Sequence, residues 1–289
     1  MGFDSAFPKI EDSLVTVFMP THNRRKLVER ALESVICQTY ENLDIIVVDD
    51  GSSDDTWKFL CSVSDPRVRV FRHPQPLGAC AARNKAIFEA RGLLITGLDD
   101  DDMFSPTRVE ELVKAYDSRY AFIYPKKFSP RMLVSSPSVT ISRRFNLRQL
   151  FNSNLVGGFC LCETERLRRV GGFDVNFPAL QDYELWIRLV ESYGAPKLVF
   201  SNTYIVDTEH GGLRVTNKNN LVRAYDLLLE KHSGKMTASN LNSIRIRKTE
   251  WDGRSVGFLS VVRAIFDGNF WTAMRYLRRR LSPGKRLEV

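Results

Sequence analysis

The chain has 289 residues, 43% hydrophobic and 26% charged, an ordinary globular composition that suits one large α/β domain or a domain with an appendage. No run reaches the roughly 18–20 uncharged apolar residues of a spanning helix, and MGFDSAFPKIEDS carries acids and no apolar core, so no secretory signal is expected. The formal charge of +8 is concentrated in residues 240–289, where eleven Lys/Arg stand against four Asp/Glu, which leaves the preceding chain near neutral.

LVTVFMP (14–20) is β-branched and apolar and ends in Pro, which predicts a buried strand closed by a turn. Residues 24–38 then place Leu27, Ala31, Leu32, Val35 and Ile36 on one helical face. LDIIVVDDGSSDDT is a second buried strand running into a Gly/Ser/Asp turn, and RVRVFRH a short third. Residues 78–92 predict a helix ended by Gly92. LLITGL is a fourth strand, and SPTRVEELVKAYDS a helix with Ser105 as N-cap and Pro106 at its first position. This alternation of strand and helix is the pattern of a parallel sheet covered by helices. Further on, YAFIYP, MLVSSPSVTIS and GGFCLC read as less regularly connected strands, and DYELWIRLVESYG as an amphipathic helix; the remaining chain is helical and basic.

The cysteines, Cys37, Cys61, Cys80, Cys160 and Cys162, are scattered, and Cys160 and Cys162 read as one face of a strand. Without Cys or His pairs at metal spacing, zinc is not expected, and a reducing, cytosolic compartment is.

In parallel α/β sheets ligands bind beyond the carboxyl ends of the strands. Three such ends carry Pro20-Thr21-His22-Asn23, Asp49-Asp50-Gly51, and Asp99 to Asp102. Each alone reads as a solvated turn, but three of them directly after buried strands point to a ligand site. Adjacent carboxylates cannot all stay ionised without a counter-charge, because repulsion and desolvation protonate some of them. Their oxygens suit Mg²⁺ or Mn²⁺, which take one or two carboxylates and complete their shells with water and phosphate oxygens. The expected counter-charge is a divalent cation arriving with a diphosphate.

VTVFMPTHNR, IIVVDDGSSDDT, LDDDDMFSP, VGGFD and LQDYELWIRL stand in the order and spacing of the family 2 glycosyltransferases, which the chain resembles over roughly residues 13–215. The resemblance implies the GT-A fold, an α/β domain with a mostly parallel central sheet covered by helices. It would span 1–215, with a nucleotide-binding half over 13–105 and an acceptor half over 106–215, followed by a basic, mainly helical extension over 216–289. It implies inverting, metal-dependent transfer from a nucleotide-sugar donor, expected to be a UDP-sugar, to a hydroxyl of a glycan. By the same analogy the acceptor is lipid-linked at the inner face of the cytoplasmic membrane, as in bacterial polysaccharide or lipopolysaccharide assembly.

Residue by residue, the family's nucleotide pocket falls on Pro20, Thr21, Asn23, Asp50 rather than Asp49, and Arg83, which also reads as a solvated helix charge. Counted back from Pro106, its D-x-D-D falls on Asp99 to Asp102, with Asp101 as the direct metal ligand and Asp99 facing the ribose or metal-bound water. The acid at Asp100 is this sequence's own departure and leaves a register shift of one open. The family's Glu-Asp reads here as Gln181-Asp182, so Asp182 keeps the role of general base while Gln181 replaces the acid. Glu184 is a rival turned about 200° away on a helix. Asp182 also reads as a helix N-terminal carboxylate favoured by the dipole. Trp186 is either core or a wall for the acceptor sugar. His210 and Arg214, in a Gly-containing loop, lie where relatives carry groups reaching the metal or the diphosphate, and a lone loop His equally reads as solvated.

The segment 256–281 mixes Phe258, Leu259, Phe266 and Trp271 with arginines, as does a helix at an anionic membrane surface or a helical pair with a solvated basic face. Nucleic acid is not expected, since no reader motif is present. Two rival readings remain. A nucleotidyltransferase usually has a Gly-rich loop after the first strand, which PTHNRRK lacks. A non-catalytic, membrane-associated nucleotide-sugar-binding protein is disfavoured by retention of both the acid cluster and Asp182.

Overall fold

A computed structural model describes residues 10–126, 145–207, 217–252, 255–266, 272–274 and 276–277. In chain order, β1 (Val15–Thr21) leads to α1 (Arg25–Ile36), β2 (Leu43–Asp49) to α2 (Thr56–Ser62), and β3 (Val68–Arg72) to α3 (Ala79–Glu89). β4 (Leu94–Gly97) and β5 (Met103–Phe104) precede α4 (Arg108–Ala115). Then come β6 (Ile123–Lys126), α5 (Leu147–Asn152), β7 (Cys162–Glu163), α6 (Thr164–Arg169), α7 (Gln181–Tyr193), β8 (Lys197–Phe200) and β9 (Tyr204–Ile205). The helices α8 (Lys218–His232), α9 (Ala238–Asp252) and α10 (Phe258–Phe266) follow.

The central sheet has the order β3-β2-β1-β4-β7. Its first four strands are parallel and β7 is antiparallel to β4. All seven residues of β1 and of β2 are buried, because helices cover both faces of the sheet. Val15, Val17 and Met19 pack with Val28, Ala31, Leu32 and Val35 of α1. Phe18, on the other face, packs with Ala82, Ala86 and Ile87 of α3. Each of the fully buried Val, Leu, Ile, Met and Phe side chains among these contributes about 1.5–3 kcal/mol. Alternation persists at the sheet margin, where Cys160 and Cys162 join one core cluster and Leu161 the other.

Several local expectations shift. The buried face of α1 runs through Val28 rather than Leu27, and Ile36 is only half-buried. α3 ends at Glu89, before Gly92. Gly92 is there for close approach instead: a Cβ would lie 2.4 Å from the Thr16 backbone nitrogen. α4 begins three residues after Ser105, with Thr107 at its N-cap and no side-chain capping bond. Ser105 serves as a tie, its amide donating to Thr203 O at 2.8 Å and its carbonyl accepting from Gln38 at 2.8 Å. α2 was hidden in the sequence by the preceding Gly/Ser/Asp turn. GGFCLC contributes only the bridge at Leu161 and the short β7, and MLVSSPSVTIS lies outside the described residues.

Candidate active site

Parallel pairing of β2, β1 and β4 puts the three polar strand ends on one edge, and Thr21 joins them. Its carbonyl accepts from the Asp50 amide at 2.8 Å, and its hydroxyl donates to Asp100 Oδ2 at 2.7 Å. Pro20 is buried one residue earlier. Asn23 holds a left-handed φ of 53°, an uncommon conformation that Asn tolerates better than most residues. That turn lets its Oδ1 accept from the Ser53 amide at 2.7 Å. Asp50 accepts from His73 Nδ1 at 2.7 Å and from the amides of Leu77 and Gly78 at 2.9 and 2.7 Å. Burial opposes its charge, but these bonds outweigh that and hold the carboxyl below its ordinary range. Asp49 is fully buried and ion-paired with Arg72 at 3.1 Å, and Asp50 is 5% exposed.

The run Asp99 to Asp102 alternates. The Asp99 and Asp101 side chains are each 40% exposed, whereas Asp100 and Asp102 are buried. Asp100 accepts from Arg24 Nη1 at 2.8 Å, and the same nitrogen reaches Asp101 at 3.1 Å. Asp102 accepts from the Tyr204 hydroxyl at 2.8 Å and the Asp207 amide at 3.1 Å. Arg30 pairs with Asp207 and donates to the Asp101 carbonyl at 3.0 Å. Burial raises Asp100, with Arg24 and Thr21 opposing, and pushes Asp102 up to about 6. The counter-charge expected to come only from a cation is therefore already partly present as Arg24 and Arg83. Sequence reading missed Arg24, although it lies in the first motif, because nothing in the spacing places its fork over residues 76 and 77 positions away.

Arg83 connects the acid edge to the second half of the site. Nη2 donates to Asp99 at 2.8 Å and Nη1 to Gln181 Oε1 at 2.9 Å. Its guanidinium lies 5.6 and 5.3 Å from the ring centroids of Phe159 and Phe173. It is thus a held charge and not a solvated one. Gln181 starts α7, and Asp182 beside it accepts from Asn154 Nδ2 at 3.1 Å. Burial raises Asp182 above the ordinary carboxylate range, with the Tyr183 amide, Asn154 and Arg83 opposing. Glu184 points elsewhere: it is fully buried and pairs with Arg188, Lys231 and His232 at 2.7, 2.9 and 3.2 Å. Trp186 is 2% exposed and packs 5.2 Å from Phe122. It is core and walls no acceptor site. His210 and Arg214 lie outside the described residues.

A divalent ion fits this edge. Asp99 and Asp101 present two carboxylates outward while Asp100 between them turns inward, and hard ions of this kind take one or two carboxylates. Among the described residues no three His, Cys, Asp or Glu side chains gather as a ready-made cage, so remaining positions would fall to water and phosphate oxygens.

A parallel sheet with an acidic carboxyl edge, joined through Arg83 and Gln181 to a carboxylate at a helix start, is the arrangement that the sequence resemblance implies. The profile of Glycosyl transferase family 2 matches residues 16–171, and the chain belongs to that family of glycosyltransferases. WcaA of Escherichia coli strain K12, named for colanic acid biosynthesis, is 31% identical over 257 residues, covering 82% of this chain and 90% of its own length. The Escherichia coli UDP-Glc:alpha-D-GlcNAc-diphosphoundecaprenol beta-1,3-glucosyltransferase WfaP is 29% identical over 223 residues, covering 74% and 85%. Among solved structures, S. aureus TarS 1–349 in complex with UDP-GlcNAc has a TM-score of 0.61 at 16% identity, covering 82% of this chain and 73% of that one. The mannosyltransferase PcManGT from Pyrobaculum calidifontis, in complex with GDP-Man and Mn²⁺, scores 0.58 at 18% identity, covering 95% and 76%. These two share the GT-A fold with this chain.

Proposed function

We propose that this glycosyltransferase moves a sugar from a UDP-sugar to a hydroxyl of a glycan acceptor, with inversion, in one in-line displacement. The observation that carries this reading is the Arg83 bridge from Asp99 to Gln181, which brings Asp182 to the acidic edge. Asp182 takes the proton of the acceptor hydroxyl as that oxygen bonds to the anomeric carbon, and the bond to the diphosphate breaks on the opposite face. Asn154 donates to Asp182 Oδ2 and so fixes the orientation of the carboxylate. Asp101 and Asp99 would hold Mn²⁺ or Mg²⁺, which would supply positive charge to offset the departing diphosphate. Arg83 adds fixed positive charge beside Asp99, and His210 and Arg214 are the further candidates for the metal and the diphosphate.

Pro20, Thr21, Asn23 and Asp50 form the nucleotide wall, with Arg83 and Asp99 at its inner end. Thr21 and Asn23 stiffen it through bonds to Asp100 and to the Ser53 amide, and Asp50 through bonds to His73, Leu77 and Gly78 ahead of α3. The names of WcaA and WfaP support a bacterial surface polysaccharide as product and a lipid-linked glycan as acceptor. The reaction then belongs at the inner face of the cytoplasmic membrane, approached through the basic C-terminal extension. No helix among the described residues is long and apolar enough to cross a membrane. Titration of UDP with and without Mn²⁺ tests the donor site. Binding should require Mn²⁺ and be lost in Asp101→Ala, and unaltered affinity in that variant removes Asp101 from the metal.

A further inference from the structure

α10 is apolar on its exposed side as well as on its buried one. Val261 and Ala264 are buried with Ile246, Ala273 and Tyr276. The opposite face carries Phe258, Leu259 and Phe266, which are 79%, 81% and 85% exposed. Phe258, Val262 and Phe266 recur every four residues and Leu259 stands beside them, so they form one stripe. Exposed apolar side chains scattered singly need no explanation, but a contiguous patch marks an interaction surface.

The charge at its border identifies the occupant. Arg263 on α10 and Arg245 on α9 are exposed and flank the groove beside Leu259. α10 itself contains no Asp or Glu. A second copy placed on this stripe would bring like charges together, whereas an anionic bilayer pairs them with lipid phosphates while the rings enter the acyl boundary. We propose that α10 docks flat on an anionic lipid surface through Phe258, Leu259 and Phe266, with Arg245 and Arg263 at the headgroups.

This docking face is tied to the acceptor half of the site. α10 packs on α9, whose Asn240 donates to Arg148 O and Asn152 Oδ1 of α5 at 2.9 and 2.6 Å. Arg247 of α9 donates to Asn152 O at 2.8 Å, and two residues on, Asn154 holds the base Asp182. A bilayer under α10 therefore lies against the element that positions the base. The inference rests on the preceding reading only for the idea that the acceptor is drawn from that bilayer.

The test is co-sedimentation of the full chain with vesicles of phosphatidylcholine, alone or mixed with phosphatidylglycerol. Wild type should bind the anionic vesicles, less so at high salt. The triple variant Phe258→Ser, Leu259→Ser, Phe266→Ser should lower that partition at least tenfold while binding UDP like wild type. Arg245→Gln with Arg263→Gln should lower binding to anionic vesicles alone. Equal partition of the triple variant, no wild-type binding to either vesicle, or a wild-type dimer that the triple variant abolishes would each overturn the proposal. A chain that binds vesicles yet transfers no sugar keeps this surface and loses the function proposed above. A chain that transfers to a soluble acceptor while ignoring vesicles does the reverse.

Discussion

Arg83 donates to Asp99 at 2.8 Å while its other terminal nitrogen holds Gln181, so one side chain spans two motifs that lie far apart in sequence. A bond to a charged partner is worth about 1.5–3 kcal/mol. Arg83→Gln should therefore lower kcat/KM about tenfold to a hundredfold, and Arg83→Lys, which keeps the charge but not the fork, should recover part of it. Steady-state kinetics with thermal unfolding of the same samples checks this, since a loss that tracks unfolding would make the bridge merely structural.

Arg24 sits at 3.1 Å on Asp101 Oδ2, an oxygen of the carboxylate proposed to hold the cation. Without nucleotide, cation and guanidinium compete for it. Arg24→Gln should tighten Mn²⁺ binding by about tenfold, the equivalent of about 1.4 kcal/mol. Free Mn²⁺ measured by electron paramagnetic resonance reads this directly. Weaker binding in the variant would mean that Arg24 supports the ion rather than excluding it.

The Asp182 carboxyl is held above its ordinary value of 3.8, chiefly by burial. The proposed base role requires the ionised form, so the acid limb of kcat should fall at a higher pH than an ordinary aspartate gives. A limb at or below the ordinary value would separate Asp182 from the rate.

Glu184 anchors α7 to α8 through Lys231 and His232, and pairs with Arg188 one turn on along its own helix. Burial works against its charge, but these partners outweigh it and lower its pKa from 4.5 to about 2. A depressed carboxyl adds stability above its unfolded pKa and loses it as pH falls through the folded one. Glu184→Gln should thus be less stable than wild type by about 3 kcal/mol at pH 7, with the gap closing between pH 4.5 and 2. Denaturant unfolding over that range checks the sign.

The strand ends were legible in the sequence because burial on both faces writes strands as continuous apolar runs, and the first polar residue marks where each leaves the sheet. Asp182 stood out only through the resemblance of LQDYELWIRL to the family's motif, because its place at a helix start reads equally as a carboxylate favoured by the dipole. The register within Asp99 to Asp102 was not, because four identical residues carry no phase. Only the inward bonds of Asp100 to Thr21 and of Asp102 to Tyr204 separate the outward pair. Arg24, Asn154 and Tyr204 were likewise invisible, since each meets its carboxylate through tertiary approach. Trp186 left two readings open, because a large aromatic on an amphipathic helix reads the same whether it faces core or cleft.

The central claim is that Asp182 deprotonates the acceptor beside a donor site that does not depend on it. Asp182→Asn is nearly isosteric, so UDP affinity and transfer can be measured on the same preparation. With Asp182 as the base, the variant should bind UDP within about twofold of wild type and transfer sugar about a hundredfold to ten-thousandfold more slowly. Transfer at the wild-type rate, with UDP bound as tightly, would contradict it.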